Sequence, residues 1–99
     1  MAVEVGDMTY GQAQLIDQQS LDIVPVTVGE EWTVHNISIP YGYACELYHT
    51  DGTNTIKVST LTNSLLSYSF HCNASSYYTI KNVSGYTIYV SYDGVVSQV

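Results

Sequence analysis

The feature that most constrains this chain is its punctuation. From residue 21 onward, runs of β-branched and aromatic residues last only a few positions before Gly, Asn, Asp or Pro interrupts them. No segment combines a 3.6-residue apolar period with helix formers. Residues 12–20 come closest, and Leu15-Ile16 alone makes no amphipathic face. The expectation is an all-β chain: a small antiparallel β-sandwich or barrel of about seven or eight strands. Its 99 residues suffice for one core.

The strands follow from the alternation. Residues 21–27 form the first, with Pro25 marking an edge position or bulge. Residues 28–31 turn, and residues 32–39 follow. There the apolar phase slips from Trp32 and Val34 to Ile37 and Ile39, the shift a β-bulge produces. Pro40-Tyr41-Gly42 turns the chain into residues 43–50. Asp51-Gly52 is the strongest hairpin signal, leading into residues 55–60 with Ile56 and Val58 inward and Lys57 outward. Residues 65–72 make another strand. Residues 77–83 and 86–92 read as a hairpin around Ser84-Gly85, with Ile88, Val90 and Tyr92 on one face. Asp93-Gly94 reads as a further turn before residues 95–99. Trp32 is the expected centre of the core. Residues 1–20 have few β-branched residues, so they read as a flexible N-terminal arm on a sandwich domain of residues 21–99.

Charge narrows the function. Two basic residues against nine acidic ones give a net charge of −7. Two cations cannot neutralise a useful stretch of phosphate backbone, so no nucleic-acid partner is expected. Electrostatic membrane attachment fails for the same reason, and no window approaches the length of a membrane span. The N-terminus lacks the basic and apolar regions of a signal peptide, which suggests a cytosolic chain or a mature fragment of something secreted. Cys45 and Cys72 are then expected as free, buried thiols, although a cross-strand pair is open. The sequons at Asn36, Asn73 and Asn82 are expected to be unmodified.

No constellation carries chemistry. His35, His49 and His71 fall in separate strands, and adjacent His71 and Cys72 point to opposite faces. A site of His49, His71 and Cys45 is conceivable, but structural roles explain the three histidines. There is no G-x-S-x-G, and Glu30-Glu31 sits in a turn, where neighbouring acids rarely frame a substrate. Asp51-Gly52-Thr53-Asn54 could offer oxygens to calcium, yet a hairpin turn accounts for the same residues. The chain is read as non-enzymatic, with no cofactor and no metal.

The excess lies in tyrosine: ten, against one Trp and one Phe. Tyrosine gives rigid amphipathic contact area and is favoured at interfaces. Loop position or strand alternation points Tyr41, Tyr43, Tyr77 and Tyr89 outward, and these are the candidate partner-binding residues. A charge-poor, tyrosine-bearing surface suits an assembly better than a free monomer.

The stretch Ile23-Val24-Pro25-Val26-Thr27-Val28-Gly29-Glu30-Glu31-Trp32-Thr33-Val34-His35-Asn36-Ile37 resembles a pattern in small virion proteins of tailed bacteriophages. A strand ends in a proline step, a Gly-acidic turn follows, and an aromatic leads the next strand. Residues 46–52, 78–85 and 92–96 look like the hairpins and ending of that group. The resemblance implies a non-enzymatic β-sandwich attached to the virion, on the head as a capsid decoration or cement protein. Its partner would be the major capsid or another virion protein, with a homo-oligomer on the particle, assembled in the host cytoplasm. No site residue follows from the resemblance. The alternative is a carbohydrate-binding or adhesin-like module, stacking sugars on Tyr41, Tyr43 and Tyr77 or Tyr78.

Overall fold

The computed structural model describes residues 4–25 and 27–99. Eight strands follow one another with no helix among the described residues: β1 (Met8–Leu15), β2 (Ser20–Ile23), β3 (Glu31–Ser38), β4 (Cys45–Thr50), β5 (Thr55–Leu61), β6 (Phe70–Asn73), β7 (Tyr77–Asn82) and β8 (Ile88–Gln98). They form two antiparallel four-stranded sheets. The first has the order β1-β8-β3-β6 and the second β2-β7-β4-β5. The expected all-β sandwich is the observed fold.

Strand alternation builds the core. The first sheet turns Leu15, Val34, Ile37, Cys72, Ile88, Val90 and Tyr92 inward, and the second contributes Ile23, Cys45, Leu47, Leu61 and Ile80. Each fully buried aliphatic side chain contributes about 1.5–3 kcal/mol of transfer free energy. The expected bulge in β3 is present: the pairing with β8 shifts between Val34 and Asn36, which restores Ile37 to the core side. Residues 51–54 close the β4–β5 hairpin, with Gly52 at φ 90°.

Several expectations are corrected. Residues 8–15 of the expected arm are β1, paired with β8 in unbroken register from Met8↔Val95 to Leu15↔Ile88. The arm's residues 1–3 lie outside the described residues. The strand lacked an apolar signature because its inward positions are Thr9, Gly11, Ala13 and Leu15. They are small for a reason: a Cβ on Gly11 would stand 2.6 Å from the Tyr92 ring. Bulk on β8 replaces bulk on β1.

Residues 77–83 and 86–92 do not form a hairpin. β7 lies in the second sheet and β8 in the first, so the connection crosses the sandwich. Asp93-Gly94 is no turn either, since β8 runs through it for 11 residues. Ile56 and Val58 are 65% and 51% exposed, because β5 is an edge strand whose pairing with β4 slips beside Tyr48. Leu61 is the buried residue of that strand. Of the expected strand 65–72, β6 keeps only the end, and Leu65 bridges to Ile37 ahead of it. Of the expected strand 21–27, β2 stops at Ile23, and Val26 lies outside the described residues. Trp32 is half-buried at the sandwich rim rather than central. Its ring packs 6.0 Å from Tyr92, and its Nε1–H donates to Glu30 Oε1 at 2.6 Å.

Candidate functional site

One end of the sandwich gathers the connections at residues 16–19, 39–44 and 83–87 together with Thr62. Asn82 organises it. The residue is fully buried, and its Nδ2 donates to the carbonyls of Leu15 at 3.0 Å and Tyr86 at 2.6 Å. Its Oδ1 accepts from the Ser84 N–H at 3.0 Å and the Ser84 hydroxyl at 2.7 Å. All four hydrogen-bonding positions of the amide are therefore used. Backbone bonds complete the frame: Gln18 N–H to Asn82 carbonyl, Val83 N–H to Ala44 carbonyl, and Gly42 N–H to Thr62 carbonyl. The sequon at Asn82 is thus a structural hub, closed to modification.

This frame carries tyrosines outward. Tyr41 is 84% exposed and Tyr43 is 39% exposed. Tyr43 meets Tyr86 edge to face at 5.6 Å, so the two loops present one aromatic group. Tyr89 is exposed on the outer side of β8, beside Gln12 and Ser38 at the rim of a shallow groove of about 150 Å³. Three of the four candidate residues, Tyr41, Tyr43 and Tyr89, therefore lie toward this end. Tyr77 does not. It pairs with Thr50 at the opposite end, half-buried against the core.

Three exposed tyrosines escaped the sequence reading: Tyr10, Tyr86 and Tyr68, the last stacked on Phe70 at 5.8 Å. Tyr86 follows Ser84-Gly85, where a strand assignment hid its loop position. Tyr10 sits in the stretch read as an arm, and the Tyr10-x-Gln12-x-Gln14 alternation was its only signal. Other tyrosines are core or structural. Burial pushes the Tyr92 and Tyr78 hydroxyls above their usual range. Tyr78 lies between His49 at 5.1 Å and Phe70 at 5.2 Å.

The outer face of the second sheet holds both lysines. Lys57 pairs with Glu46 at 3.2 Å, and Tyr48 donates its hydroxyl to the same carboxylate at 2.5 Å. Tyr48 first, then Lys57, hold the Glu46 carboxyl below its ordinary range. Lys81 stands opposite Glu46 on β7. A shallow depression of about 350 Å³ on this face is lined by Tyr48, Thr50, Thr55, Tyr77, Thr79 and Lys81, together with Ser20.

The residues weighed for chemistry are dispersed. His35 Nδ1 lies 3.0 Å from the Tyr68 carbonyl, His49 Nε2 2.7 Å from Ser76 Oγ, and His71 Nδ1 3.3 Å from Thr33 Oγ1. Cys45 and Cys72 are free and buried, on opposite sheets. Desolvation raises both thiols, Cys72 to about 11. Asp51 spends Oδ1 on the N–H groups of Thr53 at 2.9 Å and Asn54 at 2.7 Å, capping its own turn. Those bonds, Asn54 first, lower its carboxyl. No group of three or more metal-ligating side chains is gathered among the described residues. No protein-family model matches this chain, and no curated protein matches it either.

Proposed function

We propose that this protein is a non-enzymatic viral structural protein, a capsid decoration or cement protein that docks on the head lattice of a tailed bacteriophage. The observation that carries the reading is the aromatic group at one end of the sandwich: Tyr41, Tyr43 and Tyr86, with Tyr89 beside them. These side chains offer rigid contact area at low entropic cost, on a frame tied by Asn82. Both lysines stand on the outer face of the second sheet beside Glu46 rather than in the tyrosine-bearing loops, so ion pairing contributes little to docking. The resemblance of residues 23–37 to virion proteins supplies the class of partner, a major capsid or other virion protein.

The test is co-sedimentation of purified protein with particles that lack it. Binding should persist at both low and high salt, because few charges are there to screen. Absence of binding to such particles overturns the proposal. A carbohydrate-binding module is the second reading, favoured by the depression that sets Tyr48 and Tyr77 among hydroxyls and Lys81. Binding to a glycan array, lost on Tyr77→Ala or Tyr41→Ala, replaces the first reading with this one.

A further inference from the structure

The two sheets have four edges: β1 and β6 in the first, β2 and β5 in the second. An unpaired edge is a template for another strand, and proteins blunt it with shortness, charge, proline or bulges. Three of these edges are blunted. β2 has four residues, includes Asp22 and is followed by Pro25. β6 also has four residues. β5 carries Lys57 and an irregular pairing at its centre. β1 has none of these devices. It is eight residues long, regular against β8, and free of charge and proline from Met8 through Ile16.

We propose that β1 is a self-pairing edge, through which two copies of this chain join antiparallel into one continuous sheet. The ladder phase supports it. Val96 N–H donates to the Asp7 carbonyl at 2.8 Å. Bonding alternates along an antiparallel strand, so odd-numbered residues of β1 face β8. The N–H and C=O groups of Met8, Tyr10, Gln12 and Gln14 then point away from it. The same four residues put their side chains on the outer face of the sheet, with Met8 76% and Tyr10 75% exposed.

A two-fold pairing centred on Gly11 sets Met8 opposite Gln14 and Tyr10 opposite Gln12 of the other copy. Free backbone groups meet free backbone groups, and both outer faces lie on one side. This register leaves Asp7 and Asp17 apart, whereas moving the centre to Gln12 brings them opposite each other. Charge also bears on the register. Copies carrying −7 repel over most approaches, and the β1 edge lets them meet without opposing carboxylates. The contact is small, near or below about 1,000 Å², so the dimer is weak and reversible.

Sedimentation equilibrium of the full chain from about 5 μM to about 1 mM tests this, a range that spans the dissociation constants of weak, reversible association. The expected result is a monomer–dimer equilibrium, with amide exchange at Tyr10, Gln12 and Gln14 slowing as concentration rises. Gln12→Pro removes only an outward N–H and should weaken the dimer at least about tenfold while the fold is kept. Gln12→Lys, which sets charge at the same place, serves if the proline variant misfolds. A chain monomeric at every concentration overturns the proposal. So does a dimer that leaves those three amides exchanging freely, or one that persists in the variants. Particle binding plays no part in this measurement, so its outcome stands apart from the lattice reading.

Discussion

Gly94 lies against the backbone of Thr33: a Cβ added to Gly94 would stand 2.2 Å from the Thr33 carbonyl oxygen and 2.7 Å from Val34 Cα. The close approach sits where β3 bulges against β8. Backbone cannot swing aside as a flexible side chain can. Gly94→Ala should therefore cost about 3 kcal/mol, at the upper end of ordinary overpacking. Urea denaturation checks this, and an unchanged midpoint contradicts it.

Asn82 is the second point of strain-free dependence. Asn82→Ala should cost about 2–4 kcal/mol, since it removes four buried or half-buried hydrogen bonds at once and leaves the Ser84 backbone N–H without its acceptor. Asn82→Asp should be worse at neutral pH, because a buried carboxylate would face two carbonyl oxygens. Thermal unfolding of the two variants gives the order.

Alkaline stability should follow Cys72. Its folded thiol is pushed up to about 11 from the ordinary 9.0, so the stabilisation is fully present below pH 9.0. As pH rises, the unfolded thiol ionises first, and roughly 2–3 kcal/mol is lost between about pH 9 and 11. Tyr92 and Tyr78, raised by burial from 10.0, add in the same direction. Urea titrations across that range should steepen for the wild type and flatten for Cys72→Ala.

Acid should act through Glu46 and Asp51. Their folded values lie below the ordinary 4.5 and 3.8, so their stabilisation is present above those values and lost as pH falls through the folded ones. Tyr48→Phe removes the largest cause at Glu46 and should shrink the fall in stability below pH 4.5, measured by urea midpoint.

The tyrosine end should separate docking from folding. Tyr41→Ala, Tyr43→Ala, Tyr86→Ala and Tyr89→Ala should leave stability nearly unchanged. Those at the centre of the contact should weaken particle binding by about 2 kcal/mol or more, and those at its rim little. Tyr77→Ala, at the other end, should spare particle binding and lower stability. Co-sedimentation isotherms alongside melting curves distinguish the two groups.

The alternation of apolar residues in 32–39, the slip between Val34 and Ile37, and the Asp51-Gly52 turn were legible because each is local: a face is set by period two, and a tight turn by residues tolerant of positive φ. The outward placement of Tyr41 and Tyr89 followed from the same rule. What lay beyond the sequence depends on which strand meets which. Ser84-Gly85 serves a hairpin or a crossing equally well, and the burial of Asn82 between Leu15 and Tyr86 belongs to the crossing. The small inward residues of β1 make sense only once Tyr92 fills the space above Gly11. Gly94 reads as a turn until Thr33 lies across it. Local sequence determined where this chain extends and bends, since those preferences are settled within a few residues. Tertiary structure decided the sheet to which each strand belongs, because the steric fit and hydrogen bonds that choose it come from residues distant in the chain.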